Sequence, residues 1–153
     1  MDVSYINPFV EAVNSVFETM LGVHPTRNQV KISCQKIKTE RLTSLIGISG
    51  VMHGVVALTF PPQTALDLTA RMLETNEPKS SEEIVDAISE LVNMVAGSAK
   101  AKFNTDPPLE LGLPTVVEGS GYRVKYPSKS VWLEIQFNSD AGEFSMEITY
   151  SPN

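Results

Sequence analysis

An α+β fold, an antiparallel-rich sheet packed against two long helices, is what the order of hydrophobic patterns in this chain predicts. Three observations carry that expectation. Segments with helical and with strand periodicity occur in separate runs rather than in strict alternation. Each half opens with a long amphipathic helix followed by three or four strands, a weak internal two-fold repeat. The 153 residues are 42% apolar and 20% charged, enough for one core without disulfides or metals. The expectation is a single domain over residues 1–153.

The first helix is announced by Asn7-Pro8 before FVEAVNSVFETML. Asn7 is placed to cap the open amides, Pro8 suits the first turn, and Gly22 supplies the stop. Phe9, Val13, Val16, Phe17 and Met20 recur at helical spacing. Three extended segments follow: 30–38, 42–48 and 51–60, the last two separated by Ser49-Gly50. Pro61-Pro62 ends the third, and 63–73 reads as a shorter amphipathic helix. A polar loop, 75–79, leads to Ser80, which forms a capping box with Glu83. The helix it opens, from Glu82 to about Phe103, is the longest. The remainder is β: 115–118, 122–126, 131–138 and 143–150, with Asp140-Ala141-Gly142 turning between the last two.

Charge and composition remove several function classes. A net charge of −6 with scattered lysines and arginines gives no basic face for nucleic acid and no polybasic membrane patch. Cys34 is the single cysteine, so no internal disulfide forms. With only His24 and His53 beside it, a Cys/His zinc cluster is not expected either. The N-terminus lacks the basic flank and apolar core of a secretory signal, and no run approaches the roughly 18–20 apolar residues that span a bilayer. The expected location is the cytoplasm. His24 and His53 read as surface or satisfied core residues, Trp132 as core, and Met20, Met72 and Met94 as core gap-fillers. Gly119-Ser120-Gly121 lacks the lysine and context of a phosphate loop.

One pattern carries chemistry. On the long helix, Asp86, Glu90, Asn93 and Gly97 are spaced i, i+4, i+7 and i+11, a narrow stripe on one face. Ile84, Ile88, Leu91 and Val95 fall on the opposite, sheet-facing side. A polar outer face is ordinary. An asparagine and a glycine there are not what helix stability selects, since Gly costs about 1 kcal/mol relative to Ala. The stripe therefore reads as a docking surface carrying a carboxylate and a carboxamide, with a gap at Gly97 for close approach.

The segment DAISELVNMVAGSAK, residues 86–100, resembles the D/S-x3-E-x2-N signature of the CheC/CheX/FliY family of chemotaxis phosphatases. INPFVEAVNSVFETMLG at the start and GVVALTFPPQTALDLTARML at 54–73 also resemble CheX-like proteins, so the likeness covers nearly the whole chain. It implies an enzyme that hydrolyses the aspartyl phosphate of a CheY-like receiver domain. Asn93 would position the attacking water and Glu90 would pair with the receiver's lysine. Asp86 and Gly97 would lie in the partner-binding edge. Mg²⁺ would be supplied by the receiver, with no metal or cofactor held by this chain. The resemblance further implies a homodimer formed through the sheets, with the late strands 131–150 as candidate edges.

A carboxamide suits the water-holding task because it accepts and donates hydrogen bonds without repelling the phosphoryl oxygens. A general-base role for Glu90 is less favoured, since metaphosphate-like transition states gain little from early proton removal. Glu11 and Asn14 repeat the spacing 79 residues earlier, with Asn7 at the first position and Glu18 in place of Gly97. That copy reads as a vestigial second site. The alternative function is a non-catalytic receiver-binding module, which a timed dephosphorylation assay distinguishes from a phosphatase. A purely structural scaffold would not bind the receiver at all.

Overall fold

The computed structural model describes residues 3–32, 37–77, 79–125 and 132–152. A short 3-10 turn, Val3–Tyr5, precedes helix α1 (Asn7–Leu21). Strands β1 (Thr26–Ile32), β2 (Arg41–Ser49) and β3 (Met52–Phe60) follow, then α2 (Pro62–Leu73) and α3 (Ser81–Lys100). β4 (Glu110–Leu111), β5 (Thr115–Gly119), β6 (Leu133–Asn138) and β7 (Phe144–Pro152) complete the order. The α+β expectation holds: the strands form one seven-stranded sheet in which every described pairing is antiparallel.

The sheet runs β1-β6-β7-β3-β2, with β4 and β5 both pairing the outer side of β2. Exchanging β3 with β7, β2 with β6 and β1 with β5 reproduces this order in reverse. The weak repeat in the sequence is thus a two-fold relation in the sheet, centred on the β3–β7 pair. The halves are interlocked, because β1 pairs with β6 of the second half and β5 with β2 of the first.

The helices cover one face. Phe9, Val13, Val16 and Phe17 of α1, with Ile88, Leu91 and Val95 of α3, are buried against alternate residues of the sheet: Val56, Leu58 and Phe60 on β3, Met146 and Ile148 on β7. Phe144 lies at the junction, stacked on Phe17 at 4.7 Å and on Phe137 at 5.1 Å. α1 and α3 run past each other in opposite senses. Phe9 and Tyr5 at the start of α1 meet Phe103 beyond the end of α3.

Local signals explain most boundaries. Gly22 takes a left-handed conformation at φ 64°, its N–H and that of Val23 returning to Glu18 and Phe17 carbonyls, a Schellman closure. Ser80 and Glu83 form the expected reciprocal box: Ser80 N–H donates to Glu83 Oε1 at 2.9 Å, and Glu83 N–H donates to Ser80 Oγ at 3.1 Å. Other expectations are corrected. Asn7 does not cap α1; the preceding 3-10 turn feeds the helix in helical geometry through Ile6, leaving Asn7 inside the first turn. The first strand begins at Thr26 rather than residue 30, because pairing with β6 rather than its own alternation sets its register; Cys34 lies outside the described residues. Residues 122–125 form no strand. β6 and β7 are interior strands, so the late strands are not the sheet's edges; those are β1 on one side and β4 with β5 on the other. Met20 is 56% exposed rather than a core filler, whereas Met72 and Met94 pack against the core and Trp132 is buried.

Candidate functional site

Helical spacing brings Asp86, Glu90, Asn93 and Gly97 to one face of α3, and the buried Ile88, Leu91 and Val95 hold that face outward. Asp86 and Glu90 are exposed; Asn93 and Gly97 are half-buried. Glu90 and Asn93 stand about one turn apart. Among the described residues, no ion pair or hydrogen bond engages the side chains of Asp86, Glu90 or Asn93. Their polar atoms are free to meet another surface.

A Cβ built on Gly97 would have nothing within 4 Å. No internal contact requires glycine there, although glycine weakens the middle of a helix. A shallow groove flanks the N-terminal half of the stripe, lined by Ser81, Glu82, Val85 and Asp86 with Val116 and Glu118 of β5. Hydrogen bonds from the Ser80 backbone and side chain keep Glu83 below the usual carboxylate range, so the helix start stays anionic and well capped.

The earlier copy has different surroundings. Glu11 and Asn14 are both exposed on α1, but Lys102 Nζ donates to Glu11 Oε2 at 2.8 Å. Glu18 occupies the place corresponding to Gly97 and lies 4.0 Å from His24 Nδ1. The acid of this copy is thus engaged within the chain, and its clearance position is filled by a long charged side chain.

Two features escaped sequence reasoning. Lys102 lies beyond the periodic part of its helix, and nothing in its spacing points across to Glu11. A polar row also crosses the sheet face away from the helices: Tyr122, Thr43, Thr59, Glu147 and Ser145. The threonines and Glu147 fall on one side of β-branched strands, a polar alternation that could have marked the row. Among the described residues, no group of three His, Cys, Asp or Glu side chains could hold a metal, and no helix is long and apolar enough to cross a membrane.

Residues 42–138 match the family model described as chemotaxis phosphatase CheX. A Thermotoga maritima protein named CheY-P phosphatase CheX is 28% identical over 127 residues, 82% of each chain. The crystal structure of a chemotaxis protein CheX from Desulfovibrio desulfuricans superposes with a TM-score of 0.84 at 26% identity, covering 98% of this chain and 99% of that one. A Borrelia burgdorferi CheX, solved as a CheX–CheY–BeF3–Mg complex, shares the fold with a TM-score of 0.76 at 20% identity, over 97% of this chain and 99% of its own.

Proposed function

The chain belongs to the chemotaxis phosphatase CheX family, and from that premise we propose that it hydrolyses the aspartyl phosphate of a CheY-like receiver domain. The Thermotoga relative is named for that activity on CheY-P, and the Borrelia relative was solved with CheY, beryllium fluoride and magnesium. Asn93 holds the attacking water in line with the departing carboxylate oxygen, and Glu90 anchors α3 through the receiver's lysine. Asp86 and Gly97 belong to the docking edge. The observation that carries this reading is the acid–amide pair presented on α3 without internal partners among the described residues, beside a glycine whose missing side chain leaves open space.

The receiver supplies the phosphoryl group and Mg²⁺. Phosphoryl transfer depends on positioning and charge stabilisation, so an uncharged amide aimed at one water is a sufficient contribution from this side. The setting is the cytoplasm, where receiver domains are phosphorylated. A homodimer joined through its sheets would use a free edge. β1, with Val30 and Ile32 exposed at 49% and 78%, offers the more apolar one.

The test is a timed dephosphorylation of labelled receiver with Mg²⁺. Wild type accelerates phosphate loss, Asn93→Ala removes most of the acceleration while still binding, and Glu90→Ala weakens binding as well. Wild-type rates in both variants would defeat the assignment; a wild-type protein that binds without accelerating loss would be a non-catalytic module.

A further inference from the structure

The sheet face away from the helices carries a polar cleft of about 130 Å³ that the α3 stripe does not use. Strand register builds it. Gln136 of β6, Ser145 of β7 and Thr59 of β3 stand side by side in one cross-strand row. Glu134, two residues before Gln136, and Glu143, two residues before Ser145, project from the same face. Because β6 and β7 are antiparallel, these two acids stand at opposite ends of the cleft. Asn28 of β1 closes its outer side.

Glu147, which faces Glu134 across the β6–β7 pair, sets the hydrogen-bond directions on the floor. Ser145 Oγ donates to Glu147 Oε1 at 2.7 Å, and Thr59 Oγ1 donates to Oε2 at 3.1 Å. With its one hydrogen given to Glu147, Thr59 receives the hydrogen of Thr43 at 2.9 Å, and Thr43 receives that of Tyr122 at 2.7 Å. A hydroxyl has one hydrogen and two lone pairs, so Ser145 keeps two lone pairs and Thr59 keeps one. The floor therefore offers hydroxyl acceptors and no hydroxyl donor. Thr59 is only 6% exposed, so its acceptor is fixed in place.

The charges point the same way. Glu134 makes no ion pair among the described residues. Lys31 stands across from it on β1 but is neither paired with it nor part of the lining. Arg41, the cation of the lining, is already engaged: it donates to Glu40 O at 2.9 Å and lies 3.8 Å from Glu143. The side chains of Asn28 and Gln136 have no hydrogen-bond partner among the described residues, and either can turn its carbonyl oxygen inward.

We propose that this cleft binds a small primary ammonium compound, whose N–H groups are met by Ser145 Oγ, Thr59 Oγ1 and the Glu134 carboxylate. An ammonium group donates three hydrogen bonds and accepts none, which suits hydroxyl lone pairs beside an unpaired carboxylate, and such charge-assisted bonds are the strong ones. A carboxylate or phosphate ligand would instead meet two acids and hydroxyls with no hydrogen to give. Size sets a second limit. Pockets for drug-sized ligands begin at about 300 Å³, so this cleft takes a ligand of few heavy atoms.

NMR titration of the isotope-labelled protein with ethylammonium chloride tests this, at pH 8, where Glu147 is ionised although burial pushes its pKa up to about 7. The side-chain amide signals of Asn28 and Gln136 should shift and saturate in the millimolar range, the scale open to so small a ligand. Tetramethylammonium chloride, equal in charge but without donors, and sodium acetate should leave them unmoved. Glu134→Gln should weaken ethylammonium binding by about tenfold through loss of one charge-assisted bond, and Ser145→Ala should weaken it as well. Shifts that do not saturate, equal shifts with tetramethylammonium, or wild-type affinity in both variants overturns the proposal.

Discussion

Helices α1 and α3 carry the same acid–amide spacing 79 residues apart, on opposite sides of the two-fold relation in the sheet, and their surroundings have diverged. Glu90 is without an ion-pair partner among the described residues, while Glu11 is held by Lys102 at 2.8 Å. The position equivalent to Lys102 in the first half is Val23, which is buried and offers Glu90 no charge. Gly97 leaves open space where α1 has Glu18. α3 starts with a reciprocal Ser80–Glu83 cap, whereas α1 has no side-chain cap. Spacing along a helix preserves a motif through duplication; residues off the stripe decide whether its acid is available to a partner.

Experiments can break or sharpen that contrast. The largest effect is expected at Asn93: its alanine variant should lower receiver dephosphorylation by about 100-fold, the scale on which loss of an oriented reactant acts, with affinity preserved in a pull-down or titration. Gly97→Glu, which gives α3 the α1 arrangement, should weaken receiver binding by roughly tenfold, the cost of about 1.4 kcal/mol, through steric and like-charge hindrance. Gly97→Ala should separate docking from folding. With no neighbour within 4 Å of the added carbon, it should stabilise the protein by about 1 kcal/mol in denaturant melts, even as it reduces receiver affinity. Ser80→Ala should cost about 1 kcal/mol of stability with turnover largely retained. The smallest effect belongs to the first copy. The double variant Glu11→Ala/Asn14→Ala should leave turnover unchanged, and loss of the exposed Lys102 pair should cost about 0.5 kcal/mol. A halving of turnover in that double variant would restore α1 as a second working site.

The stability of the protein should also depend on pH through Glu147. Its carboxyl keeps its proton in the fold up to about 7, whereas the unfolded chain releases it in the ordinary carboxylate range. Its contribution is therefore fully present below that range, declines as pH rises toward 7 and is flat above. Thermal melts of Glu147→Gln should lack this decline.

Much of the fold was legible because local signals and tertiary structure agreed. The Ser80 box, the Gly22 stop and the Pro61-Pro62 end of β3 each pointed to what packing then stabilised. Where partners came from far along the chain, local pattern failed. β1 takes its register from β6, and its residues are all exposed, so its own alternation carried no boundary. Asn7 looked like a cap only because the helical turn ahead of it leaves no strong sequence mark. The α3 stripe was visible from spacing and resemblance, but the Glu11–Lys102 bond joins residues 91 apart, and the Glu134–Glu147 pair is made by strand register alone.

Placement of β7 between β3 and β6 has a further consequence for synthesis on the ribosome. Until residues 144–152 are made, the β2–β3 hairpin and the β1–β6 pair have no strand joining them. Their facing edges stay unsatisfied, and the nascent chain is then most open to pairing with the wrong strand, including one from a neighbouring polypeptide.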